Sequence, residues 1–326
     1  MTPPASPVSP LLEALSQEDI GAVRVHAPLA DYCTWRMGGP ADLLVEPASA
    51  AHLARILAWC REHGAPCVVI GEGSNLLFDD AGLRGVVVRL GPAFASLHIQ
   101  GTRIAADAGV HVADLAWAAQ RAGLAGLEHA VGIPGTLGGL VAMNGGSRRQ
   151  AIGDVIVRVS AVDHTGALLD FPCVACGFGY RTSVFQRNGC IVVGAELDLP
   201  RGDPAAIKAA MEADVAEREA KFPLDLPSCG SVFKNSDAMY AAFGPPGKVI
   251  EDTQLKGLTV GQCQVSSKHA NFFVNLGGAS SADMLALIGE VRARVCERTG
   301  IQMECEVRYV SPQGAIMPAH DAAPQP

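Results

Sequence analysis

Two glycine-rich stretches carry the densest array of groups able to hold a ligand. "GEGSNLL" (Gly71–Leu77) and "GIPGTLGG" (Gly132–Gly139) can each present several backbone N–H groups to a phosphate. Small residues let the main chain approach closely, and successive N–H groups in a turn form an anion nest. Neither stretch is a G-x-G-x-x-G fingerprint, which would need glycine at Leu76, and neither has the Gly-Lys-Ser/Thr of a Walker loop. Taken alone, each is better explained as a tight structural turn. Two in one half of the chain, with "TWRMGGPAD" (Thr34–Asp42) ahead of them, favour a dinucleotide.

Other residues have reactive types but no self-evident partner. Ser231 in "CGSVFKN" lacks a G-x-S-x-G frame and has no histidine close by. A guanidinium such as Arg181 in "FGYRTS" can grip a carboxylate through two parallel hydrogen bonds, yet a surface arginine in a strand-rich loop looks the same in sequence. In "MECEVRYV", Glu304, Glu306 and Arg308 alternate with Met303, Cys305 and Val307, the pattern of a strand with one solvated face. Cys173 and Cys176 form a C-x-x-C with no second pair at zinc spacing, so no metal site is expected.

The elements that must position these residues follow from periodicity. "SAAHLARILAWCREHG" (Ser49–Gly64) has Leu53, Ile56, Leu57 and Cys60 at helical spacing, with Ser49 able to cap it. "PCVVI" and "GVVVRL" read as buried strands, Val112–Ala122 as a helix, "VIVRVSAVD" and "ALLDF" as a hairpin, and "CIVVGAELDL" as a further strand. Composition changes at "PRGDP" (Pro200–Pro204). Beyond it come a helix "PAAIKAAMEADVAEREAKF", strands "GSVFKN" and "HANFFVNL", a helix capped by Ser280 or Ser281, and a strand "IQMECEVRYV". These elements predict an α+β fold with a boundary near residue 201. Residues 1–20 and 312–326 are expected to be disordered tails, since "MTPPASPVSP" and "PAHDAAPQP" are rich in proline. That leaves one portion over 21–201 and another over 202–311.

Bulk numbers narrow the class. Of 326 residues, 49% are apolar and 18% charged, and 25 basic against 33 acidic residues give a net charge of −8. This composition excludes a disordered or fibrous chain and argues against a nucleic-acid or membrane-surface binder, whose counterion release needs a basic face. No apolar run has the length of a membrane span, and no secretory signal is visible. The 10 scattered cysteines read as reduced thiols of a cytoplasmic protein.

Seven segments together resemble the UDP-N-acetylenolpyruvoylglucosamine reductase family: "TWRMGGPADLLVEP", "GEGSNLLFDD", "GIPGTLGGLVAMNGG", "FGYRTSVF", "CGSVFKN", "GKVIEDTQLKGLTVGQCQVSSKHANFFVN" and "ECEVR". The glycine loops are shared with other flavoproteins of the vanillyl-alcohol-oxidase type, whereas "GYRTS", "GSVFKN" and "VSSKHANF" are specific to the reductase. The resemblance implies an FAD-binding portion of that type followed by a smaller α+β substrate-binding domain. Arg36, Gly38, Gly39, Gly71, Gly73, Ser74, Asn75, Gly132, Pro134, Gly135, Thr136 and Gly138 would line noncovalent FAD, with NADPH as co-substrate. The substrate would be UDP-N-acetylglucosamine enolpyruvate, reduced to UDP-N-acetylmuramate for peptidoglycan precursors. Ser231 would be the proton donor, Arg181 the carboxylate clamp, and Glu306 a group that polarises that carboxylate or orients a neighbouring donor. Lys221 and Asn235 would bind the nucleotide sugar.

The chain also departs from the family pattern: Lys234-Asn235 is followed by Ser236, and "GGSRR" replaces a small-residue and aromatic run after Asn144. No tyrosine occurs between Arg181 and Ser231, which implies the shorter class without a tyrosine-bearing loop over the substrate. An oxidase of the same flavin fold leaves "GSVFKN" and "ECEVR" unexplained, and a nucleotide-binding module without turnover leaves Arg181, Ser231 and Glu306 without a purpose.

Overall fold

A computed structural model describes residues 9–324. Its centre is a four-stranded sheet in which Ala22–Pro28 runs antiparallel to Pro40–Glu46, and Pro40–Glu46 and Cys67–Ile70 each pair in parallel with Leu83–Arg89. The middle strands are apolar on both faces because both faces are covered. Leu43, Val45, Val86 and Val88 point into one core, while Ala41, Leu44, Val68 and Val87 point into a second. The helix Ala50–His63 closes the first face; Ser49 Oγ accepts from His52 N, and Gly64 ends it in the left-handed conformation.

The first core is completed by an antiparallel five-stranded sheet of order Leu97–Gln100, Arg103–Asp107, Ile191–Asp198, Ile156–Val162, Leu168–Pro172. The hairpin expected around "TG" is present as Ile156–Val162 against Leu168–Pro172. Around the second core lie the helix Ser281–Thr299, capped by Ser280, and a small antiparallel sheet of Thr259–Val260, Cys263–Val265 and Phe273–Asn275. Met284, Leu287, Ile288, Val291 and Val295, the apolar stripe of that helix, are all fully buried.

Several expectations change once the chain is folded. Pro10–Ser16 is a helix capped by Ser9, and Leu12, Leu15 and Ile20 bury in the first core. So the tail expected over 1–20 is ordered in its described part; residues 1–8 lie outside the described residues. Likewise Ile316–Pro318 pairs with Arg308–Val310, and Ala319 and Ala323 bury in the second core, so residues 312–324 are not a disordered tail. Proline content misled at both ends: Pro10 starts a helix, where its missing N–H costs nothing, and small alanines dock by close approach. The helix Pro204–Lys221 also differs from its expected allegiance. It follows the composition break, yet its Ile207 and Met211 pack into the first core.

Two expected strands are shorter or absent. "GSVFKN" forms isolated bridges only, Ser231 to Phe272 and Phe233 to Cys305. The Asn271 side chain stands in for a ladder strand, accepting from Phe233 N at 3.0 Å and donating to Phe233 O at 2.9 Å. "IQMECEVRYV" contributes a ladder at Arg308–Val310 alone, parallel to Leu76–Phe78. That pairing joins the first glycine loop directly to the segment carrying Glu306. Among the described residues, no helix is long and apolar enough to cross a membrane.

Candidate active site

The two glycine loops face each other. "GEGSN" leaves the carboxyl end of Cys67–Ile70, and "GIPGT" leads into the short helix Leu137–Ala142. Ser74 Oγ donates to Pro134 O at 3.2 Å. A Cβ on Gly71 would stand 2.3 Å from Thr136 Oγ1, and one on Gly135, whose φ is +111°, would stand 2.6 Å from Ser74 Oγ. Glycine is therefore required for the loops to close on one another. Among the described residues, the backbone N–H groups of Gly73, Ser74, Gly135 and Thr136 donate to no protein acceptor. Two apposed loops with free N–H donors and little added charge suit a pyrophosphate, so the residues present fit the phosphates of FAD.

Other residues expected to line the cofactor have a packing reason for their type. A Cβ on Gly39 would lie 2.1 Å from Asp80 O, and one on Gly132 2.3 Å from Arg218 Cδ. Gly38 and Gly138 press on Phe78 and Ala108. Arg36 is exposed, in a turn with φ of +53°, and the turn is pinned from the other half of the chain. Asn275 Nδ2 donates to Trp35 O at 2.9 Å, and Trp35 Nε1 donates to Phe273 O at 2.7 Å.

Arg181 occupies a two-residue turn closed on both sides, with Gly179 N donating to Thr182 O and Thr182 N to Gly179 O. Its φ is +54°, a left-handed conformation that costs an arginine on the order of 1–3 kcal/mol and persists only where the surroundings impose it. The turn projects both Tyr180 and Arg181 toward the second half of the chain. Tyr180 Oη accepts from Asn235 N at 3.2 Å, and the Arg181 guanidinium lies 5.4 Å from the Tyr180 ring centroid.

Arg181 Nε lies 2.7 Å from Glu306 Oε1, with both side chains about one-fifth exposed. The Nε–H itself is buried and not aligned on an acceptor, so this is an ionic contact and not a directed hydrogen bond. Arg181 Nη2 donates to Gly146 O at 2.9 Å. Burial pushes the Glu306 carboxyl above its ordinary range, and Arg181 and then Lys234 pull it partly back.

Backbone bonds bring these groups to Ser231. Glu306 N donates to Val232 O at 2.8 Å, and Asn75 Nδ2 of the first glycine loop donates to Glu306 O at 3.2 Å. Ser231 is half-buried beside Val232, and its Oγ makes no hydrogen bond among the described residues. Just before it, Cys229 is buried against Thr34 and Leu76, so this segment is wedged between the two halves. Glu306 thus contacts Arg181 and Asn75, both far from it in sequence, and its backbone is bonded to Val232, the neighbour of Ser231. A hydroxyl one residue along the chain from a segment bonded to a guanidinium-carboxyl pair is a candidate proton donor to a ligand bound there.

The two expected sugar-binding residues are placed less directly. Lys221 ends the helix Pro204–Lys221, with its side chain 60% exposed and paired to Glu217. Phe222, next to it, stacks on Phe272 at 4.6 Å, and Phe272 bridges Ser231. Asn235 is exposed and held through its backbone to Tyr180. A cleft of about 460 Å³ lined by Asn144, Asp154, Cys173 and Phe178 opens nearby, but neither Ser231 nor Glu306 lines it. Cys176 beside it is buried, its thiol pushed up to about 11 by desolvation, which makes it a poor nucleophile at neutral pH. Sequence reasoning passed over Tyr180, Asn271, Phe272 and the Gly146 carbonyl; they lie in quoted motifs, but nothing in those motifs indicates which partner each meets.

The comparisons with known proteins agree on one family. Residues 222–310 match the UDP-N-acetylenolpyruvoylglucosamine reductase C-terminal domain, and residues 41–171 match an FAD binding domain. UDP-N-acetylenolpyruvoylglucosamine reductase 1 of Corynebacterium glutamicum is 44% identical over 317 residues, which is 97% of this chain and 95% of that protein. The reductase of Heliobacterium modesticaldum is 44% identical over 88% of this chain and 90% of its own length. The crystal structure of the Thermus caldophilus reductase superposes with a TM-score of 0.74 at 34% identity, covering 88% of this chain and 98% of that one. With apposed loops suited to a dinucleotide and relatives matched over nearly their whole length, this chain belongs to the UDP-N-acetylenolpyruvoylglucosamine reductase family.

Proposed function

We propose that the protein reduces UDP-N-acetylglucosamine enolpyruvate to UDP-N-acetylmuramate in the cytoplasm, as a step of peptidoglycan precursor synthesis, using FAD and NADPH. The observation that carries this reading is the contact of Arg181 with Glu306, whose backbone is bonded to Val232, next to Ser231, and to Asn75 of the first glycine loop. The loops around Gly71–Asn75 and Gly132–Gly138 would hold FAD, which when bound would supply the two-electron relay between NADPH and substrate.

An enol ether is electron-rich, so adding a hydride to its methylene carbon requires stabilisation of the negative charge that spreads onto the adjoining carboxylate. Arg181 is the residue for that charge. Its Nη2 is anchored on Gly146 O and its Nε sits against Glu306, which leaves the remaining guanidinium edge for the substrate. Glu306 orients this guanidinium. Ser231 then gives its hydroxyl proton to the carbon that bears the carboxylate. It attacks no carbonyl, so it needs no histidine base. Lys221 and Asn235 meet the nucleotide-sugar portion.

Turnover tests the reading. Purified protein supplied with NADPH and the UDP-linked enolpyruvate should yield UDP-N-acetylmuramate, with one added hydrogen from NADPH and one from solvent. Consumption of NADPH without that product would reject it.

A further inference from the structure

The segment just after Arg181, residues 183–186, is fastened to the end of the helix Leu137–Ala142, which begins at the second glycine loop. A helix leaves its last carbonyls without backbone partners, and Ala142 O accepts from no backbone N–H among the described residues. It receives two side-chain donors instead, Ser183 Oγ at 2.7 Å and Gln186 Nε2 at 2.9 Å. Ser183 is fully buried, and the buried Phe185 ring packs edge-on against Phe171, so the segment has a fixed seat.

The half-buried Gln186 makes a second bond. Its Nε2 also donates to Arg181 O at 3.1 Å, and among the described residues that carbonyl has no other donor. Two carbonyl acceptors fix which end of the amide faces them, because only the NH2 group can donate to both. The bond falls on the residue whose φ of +54° needs support from its surroundings. The guanidinium of the same residue donates through Nη2 to Gly146 O, four residues beyond Ala142. Between those two, Asn144 donates from Nδ2 to Gly179 O at 2.9 Å and holds the near side of the turn. Main chain and side chain of Arg181 are thus both tied to residues 142–146, where the chain leaves that helix.

We propose that Gln186 is a positioning residue for Arg181: its amide clamps the Arg181 carbonyl to Ala142 O, so that the guanidinium offered to a substrate carboxylate is carried by the helix that begins at the second glycine loop. This inference rests on the reductase reading. Gln186 acts through the Arg181 backbone and not on the substrate.

Stopped-flow absorbance of the FAD-loaded protein tests it, because the two half-reactions differ in their need for Arg181. Gln186→Met keeps the length of the side chain and removes both donors. Recovery of flavin colour with the UDP-linked enolpyruvate should slow about tenfold or more, toward the ~10²-fold that a 1 Å misplacement costs. Bleaching by NADPH, and the dissociation constant for UDP-N-acetylglucosamine, which lacks the enolpyruvyl carboxylate, should stay within about twofold. Gln186→Lys restores N–H donors at similar reach and should recover most of the rate. If Gln186 only filled space, methionine would be the better tolerated of the two. In an Arg181→Ala background Gln186→Met should add little, since no guanidinium is left to place. Thermal unfolding of each sample verifies the fold; if the methionine variant does not fold, Gln186→Glu, of the same shape and without N–H donors, carries the same test. Colour recovery within about twofold of wild type in the folded, donor-free variant, or equal slowing of both half-reactions, would overturn the role of Gln186 alone. Wild-type protein whose reduced flavin is not reoxidised by the UDP-linked enolpyruvate would overturn the reductase reading and this inference with it.

Discussion

Replacing Ser231 by alanine separates catalysis from stability more sharply than any other single change. The Ser231 backbone is held by its bridge to Phe272, which the side chain does not affect. Its Oγ has no hydrogen-bond partner among the described residues, so alanine forfeits none of the ~0.5–1.5 kcal/mol that a made hydrogen bond contributes. Unfolding free energy should therefore stay within about 0.5 kcal/mol of wild type, the range of substitutions that break nothing. Turnover should respond very differently. Loss of a placed acid costs about 10²–10⁴-fold, or roughly 2.7–5.4 kcal/mol of activation free energy at 1.36 kcal/mol per decade. The upper end is favoured, since a water in the space left by Oγ would not be aimed at the carbon. Stopped-flow absorbance resolves the two halves of the reaction. Bleaching of the flavin by NADPH needs no proton from Ser231 and should keep its rate, whereas recovery of the colour on adding the UDP-linked enolpyruvate should slow by the full factor. Ser231→Cys should retain more activity than alanine, because a thiol still donates a proton. Colour recovery within about threefold of wild type, far short of the acid-catalysis range, would refute the assignment and leave Ser231 as a bridge residue.

Further outcomes follow from the same geometry. The folded-state pKa of Glu306 is raised, so the native state binds its proton more tightly than the unfolded chain, and wild-type protein should lose stability relative to Glu306→Gln as pH rises through that folded value. Parallel thermal melts from acid to neutral pH measure this, and a gap that widens toward low pH instead would contradict it. Gly71→Ala places a methyl 2.3 Å from Thr136 Oγ1 and should purify with a substoichiometric amount of FAD, read from the ratio of flavin to protein absorbance. The wild type should be yellow and release free FAD on denaturation; colour that stays with the chain would show covalent attachment. NADPH and the UDP-sugar should compete for one face of the flavin, giving parallel initial-rate lines, whereas intersecting lines without substrate inhibition would require two sites.

Much of the scaffold could be read before folding because it depends on local chemistry. Ser49 and Gly64 bracket their helix as a cap and a left-handed stop, and Ser280 and the stripe from Met284 to Val295 behave likewise. The hairpin at "TG" and the continuous apolar strands followed from periodicity alone. Errors came where neighbours decide. The Ser231 segment reads as a strand, but its bonding partners are a side chain, Asn271, and two different segments on either side. At the ends of the described chain, proline and alanine content suggested disorder, while Leu12, Leu15, Ala319 and Ala323 had cores waiting to receive them.

What the sequence by itself determined is the inventory: small-residue loops able to present backbone donors, the residue types at the catalytic motifs, and the caps and stripes that set most helices. Those depend on a residue and its neighbours within a turn, so they survive without a fold. Tertiary structure alone decided that Arg181 and Glu306 form a pair, that Asn75 ties the first glycine loop to Glu306, and that Arg148 reaches Asp214 and Glu217 on the helix Pro204–Lys221. Each of these depends on distance and desolvation between segments far apart in the chain. Burial, and not residue type, raises the Glu306 carboxyl, and contact, and not motif, chooses the guanidinium that faces it.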